Sequence, residues 1–96
     1  MMVVVSYDVS TKTLTGRKRL KKVAETCLNF GIRAQYSVFE CMVDPAQWEF
    51  LKHQLLSIYN PEEDSLRFYY LGANWKRRHE HYGVSKNLKA DDTLIL

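Results

Sequence analysis

The run Val3-Val4-Val5-Ser6-Tyr7-Asp8-Val9 constrains this chain more than any other stretch. It is rich in β-branched residues and contains neither Gly nor Pro, so it predicts a strand from Met2 to Asp8. The strand ends on a carboxylate beside a tyrosine. Such a position is well suited to hold a hard cation or to aim a reacting group. A polar loop follows, and then the basic run Arg17-Lys18-Arg19-Leu20-Lys21-Lys22.

Leu20, Val23, Ala24, Cys27 and Leu28 recur at helical spacing and predict an amphipathic first helix. Thr15 is the expected N-cap and Gly31 the expected residue just past the C-cap. The segment Ile32 to Val43 reads as a β-hairpin turning near Gln35 to Ser37, its second arm alternating Val38, Glu40, Met42 with Phe39, Cys41, Val43. Asp44-Pro45 with Gln47 spells a capping box with proline at N1, and Trp48, Leu51, Leu55 and Ile58 form the stripe of a second helix. Asn60-Pro61 stops it, and Ser65 to Leu71 is a fourth strand ending at Gly72. The order β-α-β-β-α-β predicts an α+β fold of the ferredoxin-like kind, an antiparallel sheet with two helices on one face.

A chain of 96 residues fits one domain with a modest core. In such a fold the face away from the helices should be polar. Here Val4 on the first strand and Tyr69 and Leu71 on the fourth leave that face partly apolar. A second layer is expected to cover it, and a two-fold homodimer supplies one economically. Residues 1–72 are the expected core and residues 73–96 an extension. Its terminal Thr93-Leu94-Ile95-Leu96 is either a frayed tail or an extra C-terminal strand on the partner's sheet.

Cys27 and Cys41 lie far apart on apolar-periodic segments and read as buried thiols of a reducing compartment. With no signal-like segment and no membrane-length apolar run, the expected location is cytoplasmic, with no membrane partner.

Four features bear on chemistry. Asp8 is either a turn cap or a metal-binding, catalytic carboxylate. One carboxylate holds Mg²⁺ weakly, but a two-fold dimer brings a second Asp8. Net charge is only +3, yet five of the 14 Lys and Arg residues fall between Arg17 and Lys22. Arg17, Lys18 and Arg19 at a helix start oppose the macrodipole, which phosphate groups would relieve; the alternative is a solvated face. Arg77 and Arg78 add a second basic patch. His79-Glu80-His81 could present two imidazoles to a metal, but lacks further ligands at metal spacing and reads as an exposed polar stretch.

Val5-Ser6-Tyr7-Asp8-Val9, Gly16-Arg17-Lys18-Arg19-Leu20 and Gly31-Ile32-Arg33-Ala34-Gln35-Tyr36-Ser37-Val38-Phe39-Glu40 together resemble, in order and spacing, the CRISPR-associated protein two (Cas-two) family. The resemblance covers residues 2–72 well and the remainder loosely. It implies a ferredoxin-like homodimer whose C-terminal strand packs on the partner's sheet. It implies an endonuclease that uses Mg²⁺, or another divalent cation such as Mn²⁺, with Asp8 as metal ligand in the dimer cleft. It further implies a role in acquiring new spacers beside the integrase, CRISPR-associated protein one. On this reading Arg17, Lys18, Arg19, Arg33, Arg77 and Arg78 contact nucleic acid, and Tyr7, Ser37 and Phe39 support the site.

Two functions therefore stand: a metal-dependent endonuclease, and a non-catalytic adaptor dimer that holds DNA for the integrase. RNA and double-stranded DNA both remain open as substrates, because no base-reading motif is visible and phosphate contacts carry no sequence information.

Overall fold

The structure is a computed structural model and describes residues 1–83. Its elements are β1 (Met2–Asp8), α1 (Leu14–Leu28), β2 (Gly31–Gln35), β3 (Val38–Met42), α2 (Pro45–Ile58), β4 (Ser65–Gly72) and a one-turn α3 (Trp75–Arg78). The strands form one antiparallel sheet in the order β2-β3-β1-β4. This is the split βαβ arrangement that the element order predicts. The proposed C-terminal strand at Thr93 to Leu96 lies outside the described residues.

The core follows from strand alternation. Val3, Val5 and Tyr7 of β1 and Phe39 and Cys41 of β3 are buried on one face. They meet Val23 and Cys27 of α1 and Trp48, Leu51 and Leu55 of α2. Trp48 sits edge-on to Phe68 and Tyr70 of β4, with ring centroids 4.9 and 5.7 Å away. Truncating a buried leucine such as Leu51 removes transfer energy and leaves a cavity, about 2–5 kcal/mol together.

The second helix begins as its sequence requires. Asp44 accepts from Gln47 N–H at 2.7 Å, and the Gln47 side chain accepts from Asp44 N–H at 2.9 Å. The first helix differs from expectation. Thr13, not Thr15, is the N-cap, extended at φ −120° and ψ 163°, and its hydroxyl accepts from Gly16 N–H at 3.0 Å. The helix thus starts two residues early, so Lys18 and Arg19 lie in its second turn, where the macrodipole opposes them less. Gly31 is likewise not a helix cap. The helix closes at Asn29, and Gly31 opens β2, where a Cβ would fall 2.2 Å from the Glu40 carbonyl oxygen. Close approach of β2 to β3 is what requires glycine there.

The outward sheet face is partly covered by this chain itself. Gly72, at φ +74°, turns the chain out of β4. The segment after α3 then brings His79 to Glu40 of β3, Nε2 to Oε2 at 2.8 Å. On that face Tyr69 stays 50% exposed and Met42 49%. No helix among the described residues is long and apolar enough to cross a membrane.

Candidate active site

Several of the sequence-derived residues lie at the tip of β1. Asp8 is the last residue of β1 and is exposed. It is paired in register with Ser65 of β4, so the sheet fixes its backbone. None of the ion pairs among the described residues engages its carboxylate.

Directly behind it lies a stack of three side chains. Tyr7 and Phe39 face each other with ring centroids 6.1 Å apart and planes within 19°. The Arg33 guanidinium lies 5.1 Å from the Phe39 ring centre, a cation–π contact. Tyr7 N–H donates to the Ser37 carbonyl at 3.0 Å, and the Tyr7 hydroxyl donates to the Tyr36 carbonyl at 3.2 Å. Burial pushes the Tyr7 phenol up, outweighing the neighbouring Arg33 charge. Tyr7, Ser37, Phe39 and Arg33 are therefore gathered beside the last residue of β1. Of these, Arg33 Nε is buried with no hydrogen-bond partner among the described residues.

The loop after Asp8 is clamped from two sides. Asp64, in the turn before β4, is fully buried at its carboxylate, with 0% side-chain exposure. It accepts from Ser10 N–H at 3.0 Å, Asn60 N–H at 2.9 Å and Arg19 Nε at 2.8 Å. Burial alone would raise the Asp64 pKa; the Arg19 and backbone hydrogen bonds outweigh it and hold the carboxyl below its ordinary value. On the other side, the Ser10 carbonyl rests against Gly16, where a Cβ would fall 2.0 Å from the oxygen.

The basic residues divide accordingly. Arg17 and Lys18 are exposed on α1, and Arg17 Nη1 donates back to the Thr11 carbonyl at 3.2 Å. Arg19 is turned inward onto Asp64, its side chain only 14% exposed. Arg77 and Arg78 lie on α3, beyond the Met2 end of the sheet. The six residue steps from Met2 to Asp8, at about 3.3 Å each, put that end of β1 about 20 Å from the Asp8 end within one chain. Arg78 Nη1 donates to the Leu71 carbonyl at 3.3 Å. His79 is used on Glu40 and Glu80 accepts from the Tyr82 hydroxyl, so the His79-Glu80-His81 stretch does not gather ligands.

Sequence reasoning missed Asp64 and Gly16. Asp64 stood in an acidic loop with nothing to link it to Arg19, 45 residues away, or to Ser10, 54 residues away. A glycine three residues after a capping threonine was the one available signal for Gly16.

A four-stranded antiparallel sheet with two helices, an exposed acid at the tip of β1 and exposed basic residues on α1 define a small α+β domain. This chain belongs to the CRISPR associated protein Cas2 family, whose model matches residues 1–79. A relative from Chlorobaculum tepidum, named CRISPR-associated endoribonuclease Cas2, is 54% identical over 96 residues, covering 100% of both chains. One from Halalkalibacterium halodurans, named CRISPR-associated endonuclease Cas2, is 48% identical over 95 residues, 99% of each chain. The crystal structure of Streptococcus pyogenes Cas2 matches with a TM-score of 0.75 and 54% identity, covering 86% of this chain and 100% of that one.

Proposed function

We propose that this chain is a metal-dependent endonuclease of CRISPR adaptive immunity, hydrolysing phosphodiester bonds at the Asp8 tip. Relatives named as endoribonucleases favour RNA as the substrate. The observation that carries the reading is the exposed, sheet-anchored Asp8 carboxylate, which no internal ion pair among the described residues consumes.

A carboxylate oxygen at an exposed tip suits a hard divalent cation such as Mg²⁺ or Mn²⁺, which keeps several waters and takes one or two carboxylates. Among the described residues no group of three or more His, Cys, Asp or Glu side chains gathers in one chain. The second carboxylate is therefore assigned to Asp8 of a second copy in a two-fold dimer. Exposed Tyr69 and Met42 on the outward sheet face favour such pairing. The bound cation would stabilise charge at the scissile phosphate and make a water more acidic. The protein's own residues do the rest. Asp8 anchors the centre, Arg17 and Lys18 hold the phosphate backbone, and the Tyr7–Phe39–Arg33 stack keeps the tip from moving. Arg77 and Arg78 of the partner or of the same chain extend the contact along the strand. The dimer works beside the integrase during spacer acquisition.

The test is Asp8→Asn, which keeps size and hydrogen-bonding capacity but removes the charge. It should fold, weigh twice 11.3 kDa by light scattering like wild type, bind nucleic acid and lose cleavage in Mg²⁺. Cleavage at the wild-type rate, with chelator abolishing neither, refutes the metal role of Asp8. In that case the adaptor reading takes its place, favoured by the single carboxylate each chain brings to the tip.

A further inference from the structure

Strand β4 carries a cation to the Asp8 end of the outward sheet face. In the antiparallel ladder Asp8 stands opposite Ser65, and Ser6 opposite Arg67. Residues opposite each other in such a ladder, and residues two apart on one strand, point to the same side. Asp8 and Arg67 therefore share a face. The alternate set, Tyr7 on β1 and Leu66 and Phe68 on β4, packs into the core under the helices, so the shared face is the outward one. Arg67 lies diagonal to Asp8, a relation that separates residues by about 7–8 Å and lets a long side chain span the gap.

Asp8 and Arg67 are both exposed. The ordinary use of such neighbours is an ion pair, yet none among the described residues engages either one. The acid further along the same face, Glu40 opposite Val4, is held by His79 at 2.8 Å. Nor do the other basic residues supply this position. Arg19 is turned onto Asp64 at 2.8 Å, and Arg17 and Lys18 stand on α1, in the layer on the opposite side of the sheet. A carboxylate and a guanidinium on one face, close but not joined, fit a ligand that brings both charges: a phosphate group with a divalent cation.

We infer that Arg67 is a further catalytic residue of the Asp8 site, its guanidinium bound to the non-bridging oxygens of the scissile phosphate. The planar fork of N–H donors matches two phosphate oxygens at once. In hydrolysis a water oxygen bonds to phosphorus and gives up a proton to solvent. The bond to the leaving sugar oxygen breaks, and that oxygen takes up a proton. Arg67 moves no proton in this step. It holds the charge on the phosphoryl oxygens, which a donor fixed in advance does without reorganising. The ladder between β1 and β4 supplies the fixing, since it sets both backbones in one register. The inference rests on the endonuclease reading of Asp8 and adds the anion-binding half of that site.

The test compares wild type with Arg67→Ala, Arg67→Lys and Asp8→Asn. Single-turnover cleavage of labelled RNA and of labelled duplex DNA in Mg²⁺, with protein saturating, measures the chemical step. Fluorescence anisotropy in chelator measures affinity. Arg67→Ala should slow the chemical step by about a hundred- to a thousandfold, the range for one donor removed from a developing charge. Arg67→Lys should fall between it and wild type, because it keeps the charge and loses the fork. Added methylguanidinium should restore part of the rate to Arg67→Ala and none to Asp8→Asn, a pattern that a merely structural role would not produce. In chelator Arg67→Ala should flatten the slope of log affinity against log salt by about one unit. Its mass by light scattering and its melting temperature should match wild type. The inference is overturned if Arg67→Ala cleaves at the wild-type rate, if its salt slope is unchanged, if methylguanidinium restores nothing, or if the variant dissociates the dimer. An Asp8→Asn protein that is silent in the same series leaves the endonuclease reading standing in each of those cases. Wild type without Mg²⁺-dependent cleavage, or Asp8→Asn as active as wild type, would instead overturn that reading, and this inference with it.

Discussion

Gly16→Ala tests whether the loop after Asp8 is truly clamped. The new Cβ would lie 2.0 Å from the Ser10 carbonyl oxygen and 3.1 Å from its carbon, whereas real Cβ atoms essentially never come within 3.0 Å. The obstacle is backbone, so no rotamer change relieves it. Ser10 or the first turn of α1 must retreat by about 1 Å or more, the difference between those two distances. Ser10 N–H stands 3.0 Å from Asp64 Oδ1, so the same retreat strains or breaks that bond. Overpacking against rigid surroundings costs about 1–3 kcal/mol, and one lost hydrogen bond about 1 kcal/mol. Alanine repays up to about 1 kcal/mol through its helix propensity, less at this early position. The net expectation is a destabilisation of about 1–3 kcal/mol, which lowers the melting temperature of a domain this size by about 5–20 °C. Circular dichroism melts of wild type, Gly16→Ala and Thr15→Ala measure it. Thr15 is exposed one residue away and should change stability by no more than about 0.5 kcal/mol. A Gly16→Ala protein that melts at or above the wild-type temperature refutes the clamp, because it means the loop yields freely.

Asp64 should give the protein an acid-sensitive stability. Its folded pKa lies below the ordinary 3.8, so the contribution is complete above that value and fades as pH falls through the folded one. In urea titrations Asp64→Asn should therefore be clearly weaker than wild type at pH 7, with the gap closing as the pH falls below 3.8, and a constant gap over that range would sink the assignment. Replacing Arg17 and Lys18 together by Ala should flatten the log affinity against log salt slope by up to about two units, whereas Arg77→Ala with Arg78→Ala leaves the Asp8 end untouched. An unchanged slope in the first variant would move the phosphate contacts elsewhere.

What could be read from sequence was whatever short-range chemistry determines. Strand alternation in β1 and β3, and the Asp44-Pro45-x-Gln47 cap of α2, are each decided within a few residues, and the fold followed from their order. The start of α1 was misplaced because Thr13 and Thr15 are both able caps. Only the path of the preceding loop, which presses Ser10 onto Gly16, selects Thr13. Gly31 announced itself as special but not why, since the Glu40 carbonyl that forbids a side chain belongs to another strand. Around the site, Asp8 and its neighbours Tyr7, Ser37 and Phe39 were legible as motif residues. The inward turn of Arg19 was not, because its partner Asp64 reaches it only through the tertiary fold. The separation of Arg77 and Arg78 from Asp8 was hidden for the same reason: it depends on which end of β4 the chain leaves.

Cys27 and Cys41 are the only two cysteines, both are fully buried, and burial pushes each thiol up to about 12. Maleimide and similar alkylating reagents attack the thiolate, so at neutral pH the folded protein presents them with almost no target. The native molecule is thus already prepared for site-directed labelling. A single cysteine placed at an exposed position such as Lys12 would take a dye or spin label alone, with no need to strip out the natural pair. Slow uptake of label by the unaltered chain would count, molecule by molecule, how often the core opens.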